Sequence, residues 1–73
     1  MDKQEDALRE FGRRLTQLRE EQGLSVAELA SRTGLDPLVI RSMEAGERNI
    51  HLTTIFRLAV GLGVEPVELL ASL

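Results

Sequence analysis

SVAELASRTGLDPLVIRSMEAG, residues 25–46, decides the fold because it contains two short helical patterns with very little chain between them. Ser25 and Glu28 have the spacing of a capping box, in which each side chain accepts a hydrogen bond from the other residue's backbone N–H. This motif predicts a helix over 26–33. Gly34 follows directly, and a glycine at the end of a helix readily adopts the left-handed conformation that reverses the chain.

The second helical pattern begins at Asp36 and Pro37. Aspartate is a favoured N-cap, and proline suits the first helical position because its missing N–H costs nothing there. Gly46 ends the pattern, so we predict a helix over 37–45. The short connection between the two helices requires a tight turn and a steep packing angle. An ordinary helical hairpin has the same spacing and is the alternative interpretation.

The chain on either side of this stretch also has the helical period. Apolar residues recur every three or four positions over 5–22 and again before Gly63, and Pro66 begins a last short helix. The positions that carry this period are Leu8, Phe11, Leu15 and Leu18 in the first segment and Ile55, Leu58, Ala59 and Leu62 in the second. We therefore predict an all-α fold of five helices in one domain over 1–73, with 1–5 as a flexible tail.

Composition limits the functions open to this chain. Its 73 residues include no cysteine, one histidine and two aromatic residues, which excludes a disulfide framework, a thiolate metal site and a multi-histidine metal site. No stretch has the length or composition of a signal peptide or a transmembrane helix. We expect a cytoplasmic protein without a metal or cofactor, in which His51 is a loop residue rather than a ligand or a catalyst.

The charges are unevenly distributed along the chain. The formal net charge is −3, which argues against binding nucleic acid by bulk charge alone. Residues 1–31 carry five basic and seven acidic side chains, whereas residues 32–57 carry four arginines and three acidic side chains. An anionic partner is therefore expected to meet the middle of the chain.

The helix predicted over 37–45 has two distinct faces. At about 100° per residue, Ile40 and Met43 define an inward face, with Val39 at its edge. The opposite, outward face carries Leu38, Arg41, Ser42 and Ala45. Arginine donates to guanine or to phosphate, serine bonds to either type of base, and leucine contacts the methyl group of thymine.

Three motifs together resemble the phage repressor and Cro-like helix-turn-helix domains. LREEQGLSVAELASRTGL is similar to that family's first helix, glycine turn and second helix, VIRSMEAGERN to its third helix, and IFRLAVGLGVEPVELL to its last two. The resemblance implies a compact, lambda-repressor-like domain of five helices that binds double-stranded DNA. It further implies a homodimeric transcriptional regulator that recognises a pseudo-palindromic operator with helix three in the major groove. The stretch from Arg48 to Leu52 also resembles the controller proteins of restriction–modification systems.

The resemblance also implies which residues contact DNA. Pro37, Leu38, Arg41 and Ser42 occupy positions that touch base edges, and Arg48 and Asn49 match a loop that meets the phosphate backbone. Val26 stands where the family often has glutamine, so only backbone amides remain there for a phosphate. The alternative is that Arg41 and Ser42 are merely solvated and Leu38 belongs to a protein interface.

Glu44 has an unfavourable position, since it lies near the C-terminus of a helix, where the helix dipole disfavours negative charge. The resemblance implies that Arg19 of the first helix pairs with it as a largely buried structural ion pair. A solvated surface glutamate is the alternative.

The sequence has more apolar side chains than so small a core needs. The surplus comprises Ile50, Val67, Leu70 and Leu73. We predict that they form the interface of a homodimer.

Two other functions stay open. One is a protein-interaction or antitoxin-like module without specific DNA readout, which the negative net charge and the apolar Pro37 and Leu38 favour. The other is an enzyme. It is the least favoured function, because no serine is paired with a histidine or lysine in any recognisable motif.

Overall fold

The computed structural model describes residues 3–71 and residue 73. Five α-helices follow one another along the chain: α1 Lys3–Glu21, α2 Val26–Thr33, α3 Pro37–Glu44, α4 Leu52–Leu62 and α5 Pro66–Leu69. There is no β-strand among the described residues, which confirms the all-α prediction. No helix in this part of the chain is both long enough and apolar enough to cross a membrane.

Helix α1 begins earlier than predicted. Residues 3–5, expected in a flexible tail, belong to the helix, and Met1 and Asp2 lie outside the described residues. The acidic side chains Glu5 and Asp6 stand in its first turn, where the positive end of the helix dipole favours negative charge. Local electrostatics thus support helix in a segment that has no apolar period.

The caps of α2 and α3 confirm the predicted boundaries at their starts. The Ser25 hydroxyl accepts a hydrogen bond from the Glu28 N–H at 3.0 Å, and the Glu28 carboxylate accepts one from the Ser25 N–H at 2.9 Å. Asp36 caps α3, whose first residue is Pro37. Both helices therefore begin where local side-chain chemistry fixes them.

The turn between α2 and α3 depends on Gly34, which has a φ of +73°. This left-handed conformation is costly for residues with a Cβ atom and lets the Gly34 N–H donate to the Ala30 carbonyl at 2.9 Å. The Thr33 hydroxyl donates to the Leu29 carbonyl at 2.9 Å, and its oxygen accepts from the Leu35 N–H at 3.3 Å. The chain therefore reverses within three residues without leaving these groups unbonded.

A single core lies between the helices. Helix α3 packs against α1 and α2, α4 packs against α2 and α5, and α5 also meets α1. All helices contribute to the buried apolar set, which comprises Phe11, Leu15, Leu18, Leu24, Leu29, Ala30, Ile40, Met43, Leu58, Ala59, Leu62 and Leu69. Arg14 links α1 to α5, since its Nε donates to the backbone carbonyl of Glu68 at 2.7 Å.

Helices α1 and α3 cross at Gly12, which is buried. A Cβ atom at this position would meet the backbone carbonyl oxygens of Met43 and Glu44. Glycine is therefore needed here for close approach, in contrast to its role at the turn. This contact sets the distance between the first helix and the C-terminal end of α3.

Candidate nucleic-acid interface

Packing of α3 determines which of its side chains reach solvent. Ile40 and Met43 are fully buried, and Val39 is half-buried against the core. The opposite face therefore points outward, with Leu38, Arg41 and Ala45 exposed. This arrangement has the two faces that the sequence predicts. One side of the helix is anchored in the core while the other is open to a partner.

Asp36 accepts hydrogen bonds from the backbone N–H groups at the start of α3. Its carboxylate accepts from the Leu38 N–H at 2.7 Å, and its backbone carbonyl accepts from the N–H groups of Val39 and Ile40 at 3.0 and 3.2 Å. Pro37 has no N–H to give. The first turn of α3 consequently offers an approaching molecule side chains but no free amide.

Ser42 is half-buried, and its hydroxyl donates to the Leu38 carbonyl at 2.8 Å. A serine hydroxyl has one donor and two acceptor positions, so what remains is acceptor capacity. In the major groove the matching donors are the amino groups of adenine and cytosine. The sequence identified Ser42 as an outward residue but gave no sign of this orientation.

The start of α2 presents backbone donors rather than a polar side chain. The Val26 side chain packs against the core, and nothing within the described residues accepts a hydrogen bond from the N–H of Val26 or Ala27. These two amides lie at the positive end of the helix dipole. The Glu28 carboxylate shares this end, and its hydrogen bonds from the backbone and side chain of Ser25 lower its pKa, so it is charged at neutral pH.

Arg48 and Asn49 lie in the connection before α4 and are both exposed. The Asn49 side-chain oxygen accepts from Gln4 Nε2 at 3.2 Å, which leaves its amide NH₂ free to donate outward. His51 is the N-cap of α4 but makes no capping bond through its side chain, and the first turn of that helix has no acidic residue. The region therefore offers the Arg48 guanidinium and the Asn49 amide as donors beside the positive end of the α4 dipole.

Arg19 joins α1 to the C-terminal end of α3. Its Nε and Nη2 atoms bond to the Glu44 carboxylate oxygens at 2.7 and 3.1 Å, and its Nη1 donates to the Leu24 carbonyl at 2.8 Å. The side chains of Arg19 and Glu44 are only 14% and 12% exposed. The hydrogen bond to Glu44 raises the pKa of Arg19 further. The structure thus brings together the two residues that the resemblance pairs, and the bidentate contact fixes α3.

The arginines divide into two groups by their contacts. On α1, Arg9 pairs with Asp6, Arg13 with Glu10 and Arg19 with Glu44, while Arg14 bonds to a backbone carbonyl. On α2, Arg32 donates to the Gly61 carbonyl at 3.5 Å. Within the described residues, Arg41, Arg48 and Arg57 have no hydrogen bond or ion pair. The unpaired guanidinium groups on and beside α3 are therefore available to an external acceptor.

The four residues predicted at a homodimer interface differ in exposure. Val67, Leu70 and Leu73 are exposed, whereas Ile50 is half-buried and packs against the core. The structure adds three exposed apolar side chains on α4, namely Leu52, Phe56 and Val60. Their spacing of four residues is visible in the sequence, but the inward face of the same helix is also apolar, so spacing alone does not reveal which face is covered.

The site has the chemistry of a binding surface. Within residues 3–71 and residue 73, no group of three or more His, Cys, Asp or Glu side chains is arranged to hold a metal ion. What the geometry brings together is an anchored helix with an apolar side chain, an unpaired arginine and a hydroxyl acceptor, flanked by backbone and side-chain donors. Such a set can read base edges and hold phosphates.

Comparisons with known proteins agree with this geometry. Residues 10–73 match the family model of a helix-turn-helix domain. An uncharacterised HTH-type transcriptional regulator of Sinorhizobium fredii, y4dJ, is 40% identical over 58 residues, which cover 80% of this chain and 75% of that protein. The control protein C.MunI of a Mycoplasma species is 34% identical over 64 residues, 86% of each chain. The crystal structure of the restriction–modification controller protein C.AhdI from Aeromonas hydrophila is 45% identical, with a TM-score of 0.84, over 85% of this chain and 94% of that one.

Proposed function

Because this chain belongs to the helix-turn-helix family of transcriptional regulators, we propose that it binds DNA sequence-specifically with α3 in the major groove. The observation that carries this proposal is the unpaired state of Arg41, which projects from the outward face of a helix whose other face is locked in the core. Arginine at such a position reads guanine through its O6 and N7 acceptors.

Contacts to phosphates position the reading helix. Arg48 and the Asn49 amide supply side-chain donors on one side of α3, and the N–H groups of Val26 and Ala27 supply backbone donors at the start of α2. These contacts carry no sequence information but set the register of the protein on the duplex. The negative charges elsewhere on the chain limit non-specific binding, which depends on phosphate neutralisation.

We further propose that the protein acts as a homodimer on a pseudo-palindromic operator. Exposed apolar side chains on α4, on α5 and just after α5 supply the surface: Leu52, Phe56, Val60, Val67, Leu70 and Leu73. A domain of this size has a marginal core, so association through such a surface also stabilises the fold. A two-fold axis in the protein matches two half-sites separated by one turn of DNA.

Two of the similar proteins are controllers, one of them of a restriction–modification system, which favours a controller role for this chain as well.

The experiment that tests DNA reading is in vitro selection from random duplex DNA with the purified protein. A parallel selection uses a variant that carries Arg41→Ala and Ser42→Ala. We expect the wild-type protein to enrich a pseudo-palindrome and the variant to lose that enrichment. Absence of enrichment at low salt with a folded protein overturns the proposal.

One second function has support in the structure. The exposed Leu38 and the carboxylate of Asp36 beside it suit a protein-interaction surface better than a phosphate-binding one. Salt distinguishes the two functions, because binding to a duplex releases counterions from the phosphates and added salt makes that release less favourable, so affinity falls steeply. An apolar protein interface lacks this dependence, since hydrophobic association does not rely on counterion release.

A further inference from the structure

We propose that α3 reads a methyl group in the major groove, with Leu38 as the residue that contacts the C5-methyl of thymine or of 5-methylcytosine. The inference rests on the proposed function, since it assumes that α3 enters the groove. It assigns a specificity-determining role to an apolar side chain at the start of the reading helix.

The first turn of α3 has no polar group with which to read a base edge. Pro37 lacks an N–H, and the N–H groups of Leu38, Val39 and Ile40 are all bonded to Asp36. The Val39 and Ile40 side chains face the core. What this turn presents to a duplex is therefore the hydrocarbon of Leu38 and of the Pro37 ring.

Both backbone polar groups of Leu38 are hydrogen-bonded. Its N–H donates to the Asp36 carboxylate, and its carbonyl accepts a bond from the Ser42 hydroxyl at 2.8 Å. Its side chain is 71% exposed and has no role in the core. The apolar group that a base edge offers in the major groove is the C5-methyl of thymine, and cytosine offers the same group when it is methylated at C5.

The spacing of Leu38 and Arg41 predicts where the methyl group lies. They are three positions apart, so both project from one face of the helix, offset by about 4.5 Å along its axis. Successive bases on one strand are about 3.4 Å apart. The base that carries the methyl group is therefore expected within one or two base pairs of the guanine that Arg41 contacts.

The test replaces single thymines by uracil in the duplex obtained by selection, which removes the C5-methyl and leaves every hydrogen-bonding group in place. Wild-type protein, Leu38→Ala and Gln17→Ala are titrated with each duplex. Gln17 is also exposed but lies on α1, outside the proposed reading and dimer surfaces, so it is the matched control. Alanine at position 38 keeps a good helix former at an exposed site, and a thermal melt verifies that the variant folds.

We expect uracil to weaken wild-type binding about fourfold at one thymine per half-site, the value of burying one methyl group. This ratio persists in Gln17→Ala and falls to about one in Leu38→Ala. When cytosine replaces the same thymine, 5-methylcytosine binds about fourfold better than unmodified cytosine. If the selected duplex is bound but uracil is tolerated at every position, or the ratio survives in Leu38→Ala, only this inference is overturned. If selection enriches no duplex, the proposed function falls with it.

Discussion

Glu44 is the residue where the fold and the proposed site depend on each other most directly. Its negative charge ends α3 where the helix dipole opposes it, and the Arg19 guanidinium neutralises it with two bonds. Because both side chains are largely buried, removal of one leaves the other without its partner in a poorly hydrated position. The pair stabilises the orientation of the reading helix at the cost of desolvating two charges.

We predict that Glu44→Ala lowers the free energy of unfolding by about 3 kcal/mol. In a domain of this size the midpoint of thermal unfolding then falls by at least about 10 °C. The control is Glu47→Ala, which removes an exposed glutamate three residues further on and is expected to shift the midpoint little. Circular dichroism melts check both variants, and a Glu44→Ala midpoint within about 2 °C of wild type contradicts the account.

Glu28 gives the capping box a pH dependence. Hydrogen bonds from Ser25 lower its folded-state pKa below the ordinary value of 4.5. The contribution of its charged form to stability is therefore complete above the unfolded-state pKa and is lost as the pH falls through the folded-state value. We expect the difference in urea midpoint between wild type and Glu28→Gln to shrink steadily as the pH is lowered below about 4.5. A difference that is unchanged down to pH 2 would mean that the carboxylate charge plays no part.

At the scale of the helices, the boundaries that sequence predicts best are those set by local side-chain motifs. The bounds of α2 match the prediction because the Ser25 cap and Gly34 fix its ends within the segment itself. Apolar periodicity is absent from residues 3–5 and so predicts too late a start for α1, whose first turn is favoured instead by the acidic Glu5 and Asp6. The hydrophobic period indicates the buried face of a helix. It gives no signal for a helical turn that buries no apolar side chain.

Helices α1 and α3 cross in close contact at Gly12. Gly12→Ala introduces a methyl group against backbone carbonyls, which cannot rotate away as a side chain can. We expect a loss of about 2 kcal/mol in the free energy of unfolding and weaker DNA binding, because α3 must shift away from α1. Gln17→Ala, at an exposed position of the same helix, is the control. Denaturation in urea measures both, and equal midpoints for the two variants would be inconsistent with a close crossing.

At the scale of the whole molecule, sequence showed too many apolar side chains for the core but not where they lie. The sequence predicts that Ile50 is exposed with the others, yet Ile50 packs against the core, while Phe56 and Val60 lie outside it. The apolar residues of α4 occur on two faces, and only the docking of its Leu58 and Leu62 face against the rest of the domain leaves the other uncovered. The hydrogen bond of the Ser42 hydroxyl likewise depends on a rotamer that sequence spacing does not specify.

We predict that Phe56→Glu separates the dimer into folded monomers, because it places a charge in the middle of the exposed apolar row on α4. Wild-type protein is expected to sediment as a dimer at micromolar concentration. Gln17→Glu, which adds the same charge at an exposed position of α1, should leave the dimer intact. A wild-type protein that sediments as a monomer under these conditions contradicts the proposed interface.

Sequence reading by Arg41 and its neighbours on α3 can be measured as a ratio of two affinities. At one fixed salt concentration, the protein is titrated with the selected duplex and with a scrambled duplex of the same composition. We expect the selected duplex to bind at least about 1,000-fold more tightly. Arg41→Ala should reduce this ratio, while Arg13→Ala on α1 should preserve it. Equal affinity of the wild-type protein for the two duplexes would contradict the claim.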